Sequence, residues 1–397
     1  MPQSILIATI MRPEGDTGVQ THCRAFLAWA KQRVLPVTLV TPYSNPRSLV
    51  YPMFAWRRLI DPWHKPASVR WYRHWHELFL RRALVTVLAD DQPCTIYAQC
   101  PLSAAAALRA RTSPTQRVVM AVHFNISQAD EWVGKGMICE GSALYCAIRK
   151  FEANILPRLD GLVFVSDFMR REVAARIPAT TEVPYRILPN FLQDPGPVVY
   201  TVQPKTDLIC IGTLEPRKNQ RYAIEIVAAA TRLGRPLTMT VIGDGPDRGM
   251  LESIVLKEGI GEQVFFAGRL LNAAAHLQDH LACIHVAQLE NLPLTLIEAL
   301  SRGVPVFAPA VGGVPEVFAN GCEGRFIPLN NAEEAARTII EWLDSPITMT
   351  AARHAARTRF LAHFESNKVA TDLMDFLSRP VQCSLQPSRA RLDRATE

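Results

Sequence analysis

No run in this 397-residue sequence approaches the ~18 consecutive apolar residues that a membrane-spanning helix requires. The longest apolar stretches, such as 83–89 and 118–122, have the length of a strand or a short core helix. Internal repeats and low-complexity tracts are absent, so the chain is not read as a solenoid or a linker array. Nine cysteines, an odd number without a C-x-x-C pair, indicate neither a disulfide framework nor a zinc site, and most are read as small buried hydrophobes. GxxxxGK[ST], GxSxG and HExxH are missing, and His76-Glu77 has no second histidine to complete a metal-binding pair. Asp-x-Asp occurs nowhere, so a metal-bridged diphosphate is not expected. GDGPDRG at 243–249 fails the dinucleotide fingerprint, because Arg248 stands at the third glycine position and Asp244 would repel a pyrophosphate. The opening MPQSILIATIM lacks the basic stretch that begins a signal peptide and reads as a buried first strand, which makes a cytoplasmic location the expectation.

What is present is ample core material: 48% of residues are hydrophobic and 20% charged, too apolar for disorder and enough for two or three domains. A formal charge of +6 implies mild attraction to anions, whether nucleotides, nucleic acid or an anionic membrane face. The charge is uneven. Between 50 and 82 stand Arg57, Arg58, Lys65, Arg70, Arg73, Arg81 and Arg82 against Asp61 and Glu77, with Trp56, Trp63, Trp71 and Trp75 interleaved. Three readings of that segment stay open: a membrane interface, a helix pair that buries its tryptophans, or a single-stranded nucleic-acid patch.

Apolar strand-like segments alternate with helix-period segments in both halves, the pattern of βαβ units on parallel sheets. Strands are predicted at 5–9, 37–41, 95–98, 118–123 and 161–165, and again at 208–212, 237–242, 264–267, 282–285 and 305–308. The expected organisation is an N-terminal Rossmann-like domain at 1–190, a proline-interrupted linker at 191–204 and a second Rossmann-like domain at 205–350. A helix is expected at 351–378, followed by a polar, disordered tail at 379–397.

Ligands of open α/β sheets bind beyond the carboxyl ends of the strands, so the loops there carry the candidate chemistry. Gly15 to Gly18 form a small-residue turn before the first helix, suited to an anion or to an ordinary βα connection. GTLEPRKN at 212–219 places Arg217 and Lys218 just before a helix, where cations oppose the macrodipole and serve either an external diphosphate or solvent. ENLPLTLIEALSRGVPV at 290–306 is the strongest signal. Glu290 precedes the helix, the free amides near Leu294, Thr295 and Leu296 follow, and Glu298 lies roughly 7 to 8 Å beyond Pro293 at ~1.5 Å per residue. Carboxylate, anion-binding helix start and carboxylate match hydroxyl, diphosphate and hydroxyl, as in a nucleotide sugar; otherwise Glu290 caps the helix and Glu298 is a surface residue. Yet Glu298 stands in a strongly apolar helix and needs a partner. GGVPE at 312–316 can bring backbone amides near a ligand, and His123 ends a strand in VVMAVHFN, so that it points into the same cleft.

These motifs together resemble the retaining glycosyltransferases of family 4, whose GT-B fold is α/β: two facing Rossmann-like, doubly wound parallel-sheet domains with a C-terminal helix crossing back. The resemblance runs over nearly the whole chain, through the 15–18 loop, VHFN, VFVSDFMRREV, LPN, GTLEPRKN, VIGDGP, the E-x7-E segment and GGVPE. It implies transfer of a sugar from a nucleoside diphosphate donor to a hydroxyl acceptor, with retained anomeric configuration, no metal and no other cofactor. Carried over by position, Lys218 would hold the diphosphate, Glu298 the ribose hydroxyls, Glu290 the donor sugar's hydroxyls and His123 the sugar near the reaction centre. Gly18, Leu294, Thr295, Gly312 and Gly313 would supply close main-chain approaches. Two positions depart from the family. Thr213 stands where many relatives carry Arg, with Arg217 as the candidate substitute, and Thr17 precedes Gly18 in place of paired glycines. The expected partners are a nucleotide sugar, a glycan or lipid-linked acceptor and peripherally an anionic membrane, with no nucleic acid. The product would be a cell-surface or exported polysaccharide. Two alternatives on the same fold are a nucleotide-sugar 2-epimerase and a catalytically silent scaffold.

Overall fold

The computed structural model describes residues 4–15, 17–88, 92–198 and 203–379. The first sheet contains β1 (Ser4–Ala8), β2 (Val37–Val40), β3 (Cys94–Ala98), β4 (Gln116–Val122), β5 (Gly161–Phe164) and β6 (Tyr185–Ile187). Its helices are α1 (Gly18–Gln32), α2 (Arg47–Ile60), α3 (Lys65–Val87), α4 (Pro101–Ala110), α5 (Gln128–Gly134), α6 (Ala143–Ile155) and α7 (Asp167–Arg176). The second sheet contains β7 (Leu208–Ile211), β8 (Met239–Ile242), β9 (Val264–Gly268), β10 (Ala282–Ile284), β11 (Val306–Ala308) and β12 (Gly324–Phe326). With it run α8 (Gln220–Arg232), α9 (Arg248–Lys257), α10 (Leu294–Ser301), α11 (Val314–Val317), α12 (Ala332–Leu343), α13 (Pro346–His363) and α14 (Ser366–Leu377).

All pairings are parallel, in the orders β2-β1-β3-β4-β5-β6 and β12-β11-β10-β7-β8-β9. Each order reverses once, between β1 and β3 in the first sheet and between β7 and β10 in the second, and a crevice opens there at the strands' carboxyl ends. Both faces of each sheet are covered, which is why these strands read as continuous apolar runs. In β1, Leu6 and Ala8 pack with Leu80 and Leu84 of α3, while Ile5 and Ile7 pack on the other face with Phe26 of α1.

The single helix expected over 351–378 is two. The chain breaks at Phe364 and Glu365, where Leu192 of the connecting segment donates to the Phe364 carbonyl at 3.0 Å and accepts from Ser366 N–H at 2.9 Å. Glu365 then caps α14 by accepting from Asn367 N–H. The two chain segments that pass between the sheets are thus tied at one point. Before the break, Phe360 of α13 packs with Leu296, Ile297 and Leu300 of α10. Beyond it, Leu373, Phe376 and Leu377 join Ile5, Tyr97 and Val119 against the first sheet, each side chain contributing roughly 1.5–3 kcal/mol on burial. Of the tail expected at 379–397, residues 380–397 lie outside the described residues, as do residues 199–202 of the linker. Edge strands β6 and β12 were not predicted; three residues each is too short to show a period.

The Trp/Arg segment is indeed a helix pair, but it divides its tryptophans. Trp71 is half-buried and donates its indole N–H to the Met53 carbonyl at 2.8 Å, and Trp75 stacks on Phe79. Trp56 and Trp63 face outward, Trp63 with 89% of its surface exposed. No helix among the described residues is long and apolar enough to cross a membrane.

Candidate active site

The carboxyl ends of the two sheets face each other, and the loop after β10 spans the gap. Asn291, fully buried, donates from Nδ2 to the Val122 and Phe124 carbonyls at 3.1 and 3.2 Å, on either side of His123. Its Oδ1 accepts from the Ser166 hydroxyl at 2.5 Å, and Asn190 donates to the neighbouring Leu292 carbonyl at 3.0 Å. A second clasp comes from Glu316, whose two carboxylate oxygens accept the N–H groups of Asp167 and Phe168 at 2.7 Å each, where α7 starts.

Glu290 sits between two cations and a buried imidazole. Its Oε1 lies 2.6 Å from Lys218 Nζ, 3.4 Å from Arg217 and 3.5 Å from His285 Nε2. Burial alone would raise this carboxyl's pKa, but Lys218, His285 and Arg217 outweigh it and hold Glu290 well below the ordinary carboxylate range. The reading of Glu290 as the cap of α10 does not hold: the N-cap is Pro293, without a side-chain capping bond. The N–H groups of Leu294 and Thr295 therefore have no acceptor among the described residues and are available to an anion.

Glu298 lies in the interior of α10, half-buried. Its carboxylate has no hydrogen bond or ion pair to any described residue, and among them Arg302 is the charge that acts on it. Desolvation raises its pKa to about 7, only partly opposed by Arg302. Two carboxylates of one segment thus occupy opposite electrostatic states.

Arg217 and Lys218 lie on a short turn, Pro216–Lys218, that ends at Asn219 in the left-handed region with φ +55°. Asn219 is held there by its Nδ2 bond to the Val286 carbonyl at 3.3 Å, which brings the turn against the Glu290 loop. Thr213 is exposed, whereas Arg217 reaches both Glu215 at 2.9 Å and Glu290, so it is the second cation in this crevice. Gly18, at the start of α1, faces Leu294 across the cleft: a Cβ added there would stand 3.3 Å from the leucine methyl. Asp16 of the same loop lies outside the described residues. Gly312, with φ +56°, and Gly313 pack on the back of the Glu290–Asn291 backbone, where added Cβ atoms would come within 2.0 and 1.7 Å of the two carbonyl oxygens. Gly313 N–H also donates to the Glu290 carbonyl at 2.9 Å, so this glycine pair positions the carboxylate loop.

His123 follows β4 directly. Its Nε2 lies 3.0 Å from Gln99 Oε1, and its ring meets that of His22 edge-on at 4.8 Å. Burial lowers its pKa to about 4, leaving a neutral imidazole. Gln99, His22, His285 and Asn291 were not singled out from sequence. Gln99 follows β3 as His123 follows β4, and Asn291 adjoins Glu290, so the rule that ligands gather at strand ends could have found both. His22 carries no such signal.

The chain matches the family described as Glycosyl transferases group 1 over residues 201–359 and the Glycosyl transferase 4-like domain over 17–190. It is 23% identical over 402 aligned positions to the GDP-mannose-dependent alpha-(1-6)-phosphatidylinositol monomannoside mannosyltransferase of Mycobacterium tuberculosis, covering 94% of this chain and 97% of that one. It is 31% identical to the 2-deoxystreptamine glucosyltransferase of Streptomyces kanamyceticus, but over 42% of this chain and 41% of that protein. Among solved structures, Anabaena HepE in complex with UDP and glucose superposes with a TM-score of 0.65 at 14% identity, covering 95% of this chain and all of that one. The chain belongs to the family 4 glycosyltransferases and has their two-domain GT-B fold. It is an enzyme of the glycosyltransferase class.

Proposed function

We propose that this enzyme transfers a sugar, with retention and without a metal ion, from a nucleoside diphosphate sugar to a hydroxyl of a glycan or lipid-linked glycan. The observation that carries the reading is the sequence of groups along one crevice: Glu290 held ionised by Lys218 and Arg217, then the free amides of Leu294 and Thr295, then the unpartnered Glu298. Ionised Glu290 accepts hydrogen bonds from hydroxyls of the donor sugar. The two cations and the helix amides stabilise the diphosphate as charge builds on the leaving group. Glu298, without a hydrogen-bond partner among the described residues, accepts from the ribose hydroxyls. Closure of the crevice excludes water and so limits hydrolysis.

A cytoplasmic enzyme resting on the inner membrane face suits an exported or cell-surface polysaccharide. What supports that placement is α2, whose outward face carries Tyr51, Trp56, Leu59 and, just beyond its end, Trp63, with exposed Arg47, Arg58 and Lys65 around it. Flotation with vesicles containing anionic lipid should recover the protein and should lose the Trp56→Ser/Trp63→Ser variant; a wild-type protein that does not float would remove the membrane from this reading, and equal flotation of both would remove these tryptophans from it.

Thermal unfolding with a panel of nucleoside diphosphates and their sugars, in EDTA, tests the donor site. A ligand at 100 times its dissociation constant adds ~2.7 kcal/mol of stability. We expect a shift with one base, lost in Glu298→Ala. No shift with any nucleotide would favour the silent scaffold, and free sugar formed without an acceptor would favour the 2-epimerase.

A further inference from the structure

Gln99 directly follows β3 beside the switch point of the first sheet, with 2% of its surface exposed. Its amide nitrogen Nε2 lies 3.1 Å from the main-chain carbonyl of Tyr97. A carbonyl can only accept, so the amide NH₂ must face it, and the amide oxygen must face the other way. That oxygen lies 3.0 Å from His123 Nε2. An amide oxygen likewise can only accept, which requires His123 Nε2 to carry a hydrogen. The other ring nitrogen, Nδ1, makes no hydrogen bond to any described residue, and His123 as a whole is half-buried.

We infer that Gln99 is a positioning residue that holds His123 as the Nε2–H tautomer, so that the imidazole offers the crevice a hydrogen-bond acceptor at Nδ1. The bound sugar must then present a hydroxyl hydrogen at that point. A group that can only accept, such as a carboxylate in place of a hydroxyl, meets a lone pair there and is disfavoured. The substrate consequence rests on the sugar-transfer reading above, whereas the tautomer does not. The titratable neighbours of the ring are His22 of α1, edge-on at 4.8 Å, and Tyr97 of β3, whose hydroxyl lies 3.1 Å from His22 Nε2. Neither replaces Gln99 as the partner of His123 Nε2.

Histidine ¹⁵N spectra of the full chain decide the question, with the His123 signals assigned by their loss in His123→Asn. We expect wild-type His123 at neutral pH to show a protonated Nε2 and a bare Nδ1. Gln99→Leu should give mixed tautomers and lower kcat/KM by about tenfold, the loss of one well-placed hydrogen bond. Gln99→Glu should keep the Nε2–H tautomer but raise the pKa of the ring, moving the acid limb of kcat/KM to higher pH; a purely structural role for Gln99 would not move that limb. A wild-type His123 protonated at Nδ1 would overturn the inference, and so would a Gln99→Leu protein with unchanged tautomer and unchanged pH profile. Should Gln99→Leu not fold, the wild-type spectrum alone still decides. The expected spectra without turnover of any nucleotide sugar would count against the transfer reading and leave the tautomer assignment standing.

Discussion

The two ends of the E-x7-E segment carry the same side chain and treat it in opposite ways. Glu290, on the loop before α10, is buried among Lys218, Arg217 and His285 and stays ionised far into acid. Glu298, inside α10, has an apolar setting with Arg302 at the helix end as the cation acting on it, and burial carries its pKa to about 7. The difference lies in what each carboxylate meets across the fold. Glu290 reaches the loop after β7, which the order of the second sheet places beside β10. Glu298 has no hydrogen-bond or ion-pair partner among the described residues, so its charge is best tolerated when a ligand supplies hydrogen-bond donors.

The sharpest way to break this comparison is to neutralise the caged end. Glu290→Gln and Lys218→Ala should each lower kcat by about 10³-fold with the fold retained, the scale of losing one preorganised charge contact in a transition state. Steady-state kinetics with circular dichroism checks this, and normal turnover in both variants would remove the assignment.

Stability against pH should separate the two carboxylates by sign. A depressed folded pKa means that Glu290 contributes stability above its unfolded pKa of ~4.3, lost as pH falls through its folded value. Glu290→Gln should therefore destabilise the free protein at pH 8, by about 1.5–3 kcal/mol for a lost charged hydrogen bond. Glu298 has a raised folded pKa, so its contribution is fully present below pH ~4.3 and lost as pH rises towards 7 and beyond. Glu298→Gln should hence stabilise the free protein at pH 8, by about 1–3 kcal/mol, and do little at pH 4, while weakening nucleotide binding. Denaturant titrations at the two pH values measure both; destabilisation by Glu298→Gln at pH 8 would contradict its unpartnered state.

The smallest effect concerns the second cation. Arg217→Ala should raise KM for the donor by about tenfold, since its charge is shared with Glu215 and more solvated than that of Lys218. Restoration by Thr213→Arg in the same chain would show that the two positions are interchangeable; no change on Arg217→Ala would leave Lys218 as the sole phosphate cation.

Much of the molecule was legible beforehand because it rests on local rules. Strands buried on both faces read as apolar runs, so the interior strands were found within two residues of their ends. Glu290, Lys218 and His123 fall at strand ends, where open α/β sheets bind ligands. Less legible were features that depend on contacts between distant segments. The break at Phe364 and Glu365 has no proline or glycine to announce it; it occurs where Leu192 bonds to both sides. GGVPE read as a ligand-facing loop, yet its glycines admit the backbone of Glu290 and Asn291, and its glutamate caps a helix of the other domain.

By itself, then, the amino-acid order determined the alternation of strands and helices, the two-domain plan and the identity of the charged groups near the crevice, because periodicity, turn chemistry and strand-end position are local. Only the tertiary structure decided the state of those groups. Whether a glutamate is ionised, whether an imidazole donates or accepts, and whether a tryptophan is core or surface depend on desolvation and on partners brought from far along the chain. Those energies arise only when the sheets, the crossing segments and the facing loops are assembled.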